Sequence, residues 1–198
     1  MKLPESFYIR RNVITIARQL LGKVLVTRID NQVTSGIIVE TEAYSDKERG
    51  SHAFKGRTKR NEVMFEQGGK AYIYLCYGVH EMFNVVTNDK DRADAILVRA
   101  LEPLTGIETM LERVDASSSA RITSGPGKLS KAMGIDRNLN GEKLVGSKIW
   151  IEDHGVNLKP SDIIRNVRIG IDYAGQDALL PWRFTIRENK WISKKNKK

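Results

Sequence analysis

Two β-rich runs, Lys23 to Ile29 and Val33 to Ala43, are separated only by the turn formers Asp30-Asn31-Gln32. A link this short joins strands as an antiparallel hairpin, because a parallel crossover needs a dozen or more residues. The pattern returns further along the chain. Ala71 to Tyr77 and Phe83 to Thr87 flank Gly78, another run covers Ala95 to Leu101, and Lys148 to Glu152 and Trp182 to Arg187 read as late strands. Helices are fewer. Val13, Ile14, Ala17, Leu20 and Leu21 keep helical spacing between Asn12 and Leu21, with Gly22 at the stop position. Thr105-Gly106-Ile107-Glu108 has the form of a capping box that opens a helix from Gly106 to about Val114, and Pro126 to Met133 reads as a short helix. The predicted fold class is therefore α+β, with a curved, mostly antiparallel, open barrel-like sheet flanked by helices.

No repeat or Pro/Gly/Ser-rich linker divides the 198 residues, so one domain over residues 1–190 is expected, followed by a basic tail, 191–198, read as disordered. No apolar run reaches the ~18–20 residues of a membrane span, and Met1 to Arg11 lacks the apolar stretch of a secretory signal. A cytoplasmic protein without a membrane partner is the expectation. Cys76 cannot form an internal disulfide, and with His52, His80 and His154 scattered there is no metal-ligand spacing, so neither metal nor other cofactor is expected. The net charge is +9, of which the five terminal lysines from Lys190 onward carry more than half, leaving +4 for the body. Such a balance suits a polyanionic partner and equally suits a solvated basic tail.

Three segments concentrate chemistry. In Ile38-Val39-Glu40-Thr41-Glu42-Ala43-Tyr44 the period of two sets Glu40, Glu42 and Tyr44 on one face. Paired carboxylates raise each other's pKa and so can supply a general base or acid; a solvated face with a nearby arginine is the alternative. Tyr72 and Tyr74 share a second face, with Tyr77 at the mouth of the turn, forming either a nucleobase-stacking surface or half of an ordinary core. Between them, Arg49, Lys55, Arg57, Lys59 and Arg60 are interleaved with His52 and Phe54, as a phosphate-binding loop or a mobile basic one.

The order of segments resembles the alkyladenine (3-methyladenine) DNA glycosylase family in its short bacterial form. The matching stretches are RQLLGKVLV (18–26), IVETEAY (38–44), RTKRNEVMF (57–65), AYIYLCYG (71–78), RALEPLTGIETM (99–110), SGPGKLSKAMGI (124–135) and RIGIDYAG (168–175), in family order. The resemblance implies a monofunctional base-excision-repair enzyme that flips an alkylated purine out of duplex DNA and hydrolyses its N-glycosidic bond. It implies damaged double-stranded DNA as partner, a monomer, and in a bacterium an association with the nucleoid. By the same resemblance Glu42 is the general base and Arg99 helps hold the attacking water. Tyr44, His52 and Tyr74 are walls of the base pocket, and Asn84 crowds the guanine 2-amino group. Tyr77 is the wedge that fills the vacated stack, and Ile171 touches the water through its backbone carbonyl. The chain departs from animal members in having Val79 and His80 after the wedge. Two other classes stay open on the residues alone: a non-catalytic nucleic-acid-binding module, and a hydrolase or transferase of small nucleosides.

Overall fold

A computed structural model describes residues 1–193. Its elements are α1 (Glu5–Tyr8), α2 (Val13–Leu20), β1 (Val24–Ile29), β2 (Gln32–Tyr44), β3 (Ala71–Cys76), β4 (His80–Thr87), β5 (Asp94–Thr105), α3 (Ile107–Val114), α4 (Pro126–Met133), β6 (Ile149–Glu152), β7 (Ile163–Asn166) and β8 (Arg183–Ile186). The strands form one curled antiparallel sheet in the order β3-β4-β5-β2-β1-β6, with β8 pairing the far half of β2 and β7 pairing β8. The fold is α+β and single-domain, as the hairpin pattern predicts.

The first hairpin closes through Asp30 and Asn31, both at positive φ, as the right-handed twist of its strands demands. Asn12 caps α2 by accepting from the Thr15 amide at 3.0 Å. The buried face of α2, Val13, Ile16, Ala17 and Leu20, packs with Leu25, Ile38, Phe83, Val98 and Met133 into the main core. Burying a side chain of this size contributes roughly 1.5–3 kcal/mol. Because the sheet alternates, Thr41 points to α2, where its hydroxyl donates to the Ala17 carbonyl at 2.9 Å. Glu40 and Glu42 are thereby turned to the opposite face.

Two expectations are corrected. Thr105 is the last residue of β5, paired with Ser35, so it is not an N-cap; α3 starts from Gly106 at φ 72, with no side-chain cap. A Cβ at Gly106 would lie 2.4 Å from the Val33 carbonyl oxygen, so only glycine fits where β5 hands over to α3. Residues 191–193 belong to the folded body: Trp191 packs on the main core and Ser193 bonds Glu40. The remainder of the expected tail, 194–198, lies outside the described residues.

Candidate active site

The far half of β2 is where the chemistry collects. Its register with β5 pairs Glu40 with Ala100 and Thr41 with Val98, so Arg99 is the extra residue of a β-bulge. A bulge re-aims the side chain it carries. The Arg99 guanidinium reaches both carboxylates, Nε to Glu40 Oε1 at 3.2 Å and Nη1 to Glu42 Oε2 at 3.3 Å. Burial alone would lower its pKa, yet the two carboxylates outweigh that and raise it. The same strand places Tyr44, whose hydroxyl donates to Glu42 Oε2 at 2.8 Å; burial, then the Glu42 charge, hold this phenol protonated. A third donor is the Ile169 backbone N–H, 2.8 Å from Glu42 Oε1. The two carboxylates predicted to lie together do so, and both are fully buried rather than solvated.

In front of them lies a cleft of ≈ 440 Å³, within the range of small-ligand sites. Glu42 has no surface on it; Tyr44, Arg99 and Ile169, which donate to Glu42, do. The cleft is also walled by His52 and Tyr74, with ring centroids 4.4 Å apart, and by Asn84. Tyr72 stands deeper, against Val86 and Ala95, and its hydroxyl lies 2.9 Å from His52 Nδ1. Burial, and then the nearby Arg60, depress the His52 pKa, keeping the ring neutral, while burial pushes the Tyr72 phenol up to about 12. The Asn84 amide nitrogen is taken by the carbonyls of Tyr72 and Met82. Thus Tyr44, His52, Tyr74, Asn84 and Arg99 are brought together around one cleft, with Glu42 directly behind.

Tyr77 stands at the tip of the β3–β4 hairpin, on the rim of the same cleft, and is 89% exposed. Its φ is +50° and that of Gly78 is +73°, the pattern of a primed hairpin turn. A tyrosine held left-handed costs about 1–2 kcal/mol, which glycine would avoid. That a strained, solvent-facing aromatic stands here points to a use for its side chain. His80 is seated on the first turn of α4, where a Cβ on Gly127 would meet its ring at 2.8 Å, so α4 buttresses the hairpin. Ile171 lines the cleft, and its carbonyl accepts from the Ala174 amide at 2.8 Å.

Several site residues carry no sequence signal of their own. Arg168 and Glu48, 120 positions apart, form a buried fork, Nη1 to Oε1 at 2.5 Å and Nη2 to Oε2 at 2.8 Å. Arg168 also donates to the Ala43 carbonyl and stacks 4.6 Å from the Tyr44 ring centroid, pinning both the 167–171 segment and the 45–61 loop to the end of β2. Tyr173, 69% exposed, stands on the cleft rim with its hydroxyl on the Gly50 carbonyl. Replacing Glu48 by Gln strips a buried guanidinium of its counter-charge, so unfolding free energy should drop by about 3 kcal/mol. Urea titration should show the midpoint falling with little change in slope; an unmoved midpoint contradicts the role given to this pair.

Residues 6–190 match the model of the methylpurine-DNA glycosylase family. The chain belongs to that family. It is similar over 98% of its length to relatives named "Putative 3-methyladenine DNA glycosylase" in Carboxydothermus hydrogenoformans (45% identical, all of that protein covered), Natranaerobius thermophilus (42%, 99% covered) and Clostridium perfringens strain 13 (40%, all covered). A member of this family is a DNA glycosylase, a hydrolase of N-glycosyl bonds that takes damaged DNA as substrate in base-excision repair. No helix among the described residues is long and apolar enough to cross a membrane.

Proposed function

We propose that this chain excises alkylated purines of the 3-methyladenine type from duplex DNA, the substrate class in its relatives' names, by base flipping and glutamate-assisted hydrolysis. The observation that carries the reading is the environment of Glu42. It has three donors for about four acceptor sites, Tyr44 and Arg99 on Oε2 and Ile169 on Oε1, so Oε1 keeps one lone pair for a proton. Glu40 takes four donors, three of them on Oε1, and is held by two guanidiniums, Arg99 and Arg183, where Glu42 is held by one.

The flipped base enters the cleft between Tyr44, His52 and Tyr74, and Asn84 crowds a purine 2-amino group. Water enters between Tyr44, Arg99 and Ile169, the groups that separate Glu42 from the cleft, and the Ile171 carbonyl is the further contact assigned to it. As the water oxygen attacks the deoxyribose C1′, the N-glycosidic bond breaks and its electron pair leaves with the base. Glu42 takes the water proton, and its charge stabilises the oxocarbenium-like sugar until then. The products are the free base and an abasic site. Alkylation gives the base a positive charge and so a good leaving group; the protein supplies orientation, water and access.

Stacking contributes less to selection than two bare tyrosines would. Arg168 already lies against one face of Tyr44 and Arg60 stands 5.7 Å from the Tyr74 centroid, so only part of the roughly 0.5–2 kcal/mol of a cation-π contact remains for a cationic base. Ease of flipping and leaving-group ability supply the rest. The direct test is base release over duplexes that each carry one defined lesion. Release of 3-methyladenine-type bases with undamaged duplex left intact is the expected result; binding without release from any of them would contradict it.

Four lysines follow Ser193, a charge that a polyanion such as duplex DNA attracts. Removing the residues after Ser193 should weaken binding to any duplex equally and lower the slope of log K against log salt by ~0.9 for each phosphate that is no longer neutralised. A filter-binding series over salt checks it, and an unchanged slope would make the tail a bystander.

A further inference from the structure

We infer that Glu40, completed by Ser193 of the C-terminal segment, is a positioning residue that sets Arg99 and thereby tunes Glu42. Glu40 Oε1 accepts from Arg183 Nε at 2.7 Å, Ser193 Oγ at 2.9 Å and Arg99 Nε at 3.2 Å, and Oε2 accepts from the Ser193 amide at 2.5 Å. The carboxylate is fully buried and has no surface on the cleft, and of these donors only Arg99 lines the cleft. Arg99 is held between two anions, its Nε on Glu40 and its Nη1 on Glu42, with Nη2 3.4 Å from Ser193 Oγ. The two glutamates and Arg99 with Arg183 balance in charge.

This balance decides where Arg99 lies relative to Glu42. With Glu40 ionised, Arg99 is drawn two ways and can lie at 3.3 Å from Glu42 instead of closing on it. Neutralising Glu40 leaves Glu42 as the anion nearest Arg99, so the guanidinium shifts onto the lone pair that must take the water proton. Ser193 contributes by bonding both Glu40 oxygens and by closing the cluster from the C-terminal segment, with Trp191 packed on the core two residues before it. The C-terminal segment therefore belongs to the catalytic apparatus as well as to the fold.

The inference rests on Glu42 being the base, and the experiment separates the two. Single-turnover base release at saturating enzyme is compared with Kd for a duplex carrying an uncleavable lesion analogue. Glu40→Gln should slow release ~10- to 100-fold with Kd within about twofold of the parent, since misorientation at this scale acts on chemistry and not on affinity. Ser193→Ala, which keeps the backbone donor, should slow release about 2- to 5-fold, and Ser193→Thr should restore it. A parental rate in Glu40→Gln, or a fall in rate matched by an equal weakening of Kd, overturns the inference. Should Glu40→Gln not fold, a parental rate in Ser193→Ala overturns it, and a slowed rate that Ser193→Thr rescues upholds it. A parental rate in Glu42→Gln would instead remove the reading beneath.

Discussion

Glu42→Gln should lower the single-turnover rate of base release by ~10²–10⁴ while leaving affinity for lesion duplex nearly unchanged. The substitution keeps the side-chain shape: the amide oxygen can accept from the Ile169 N–H and the amide NH2 can donate to the Tyr44 hydroxyl, so the local hydrogen bonds survive in part. What disappears is the proton acceptor, and with it the negative charge that faces the developing oxocarbenium ion. Arg99 keeps its bond to Glu40, which it then shares with Arg183 without the second carboxylate, so the variant should fold with reduced stability. Rate and Kd measured on one lesion duplex check this; full activity in the variant would mean that another group activates the water.

Tyr77→Ala should separate flipping from chemistry. The side chain touches neither Glu42 nor the inner walls of the cleft, and its exposure at the hairpin tip suits insertion into a base stack. Its removal should fall on the extrusion equilibrium, by roughly a few kcal/mol, because the vacated stack is left unfilled. The defect should therefore be large for a well-stacked lesion in a stable pair and smaller for the same lesion opposite a mismatch. Glu42→Gln, acting after extrusion, should slow both by similar factors. Single-turnover rates on the two duplexes decide it, and equal defects for Tyr77→Ala would show that Tyr77 is not the wedge.

The strand alternation that set Glu40, Glu42 and Tyr44 on one face was legible in the sequence, as was the hairpin that lifts Tyr77. Arg99 was legible by resemblance alone, since its reach to both glutamates depends on a bulge that residue patterns do not announce. The Ile169 N–H was invisible for a different reason: every residue but proline has one, so a backbone donor leaves no mark on composition. Glu48 with Arg168 and Glu40 with Ser193 are long-range pairs, set by how the sheet curls rather than by local spacing. β7, a four-residue strand of mixed polarity, gave no periodic signal and exists because β8 offers it an edge. The capping-box pattern at Thr105 misled because pairing with Ser35 outweighed local capping preference.

The most direct measurement is the mass of both products from one turnover on a duplex carrying a single 3-methyladenine-type base. The expected result is one free base per strand and a full-length strand whose abasic sugar carries a hydroxyl from water, breaking only on later alkali treatment, with both products formed ~10²–10⁴ more slowly by Glu42→Gln. A strand already cleaved at the sugar, or release at the parental rate in Glu42→Gln, would contradict it.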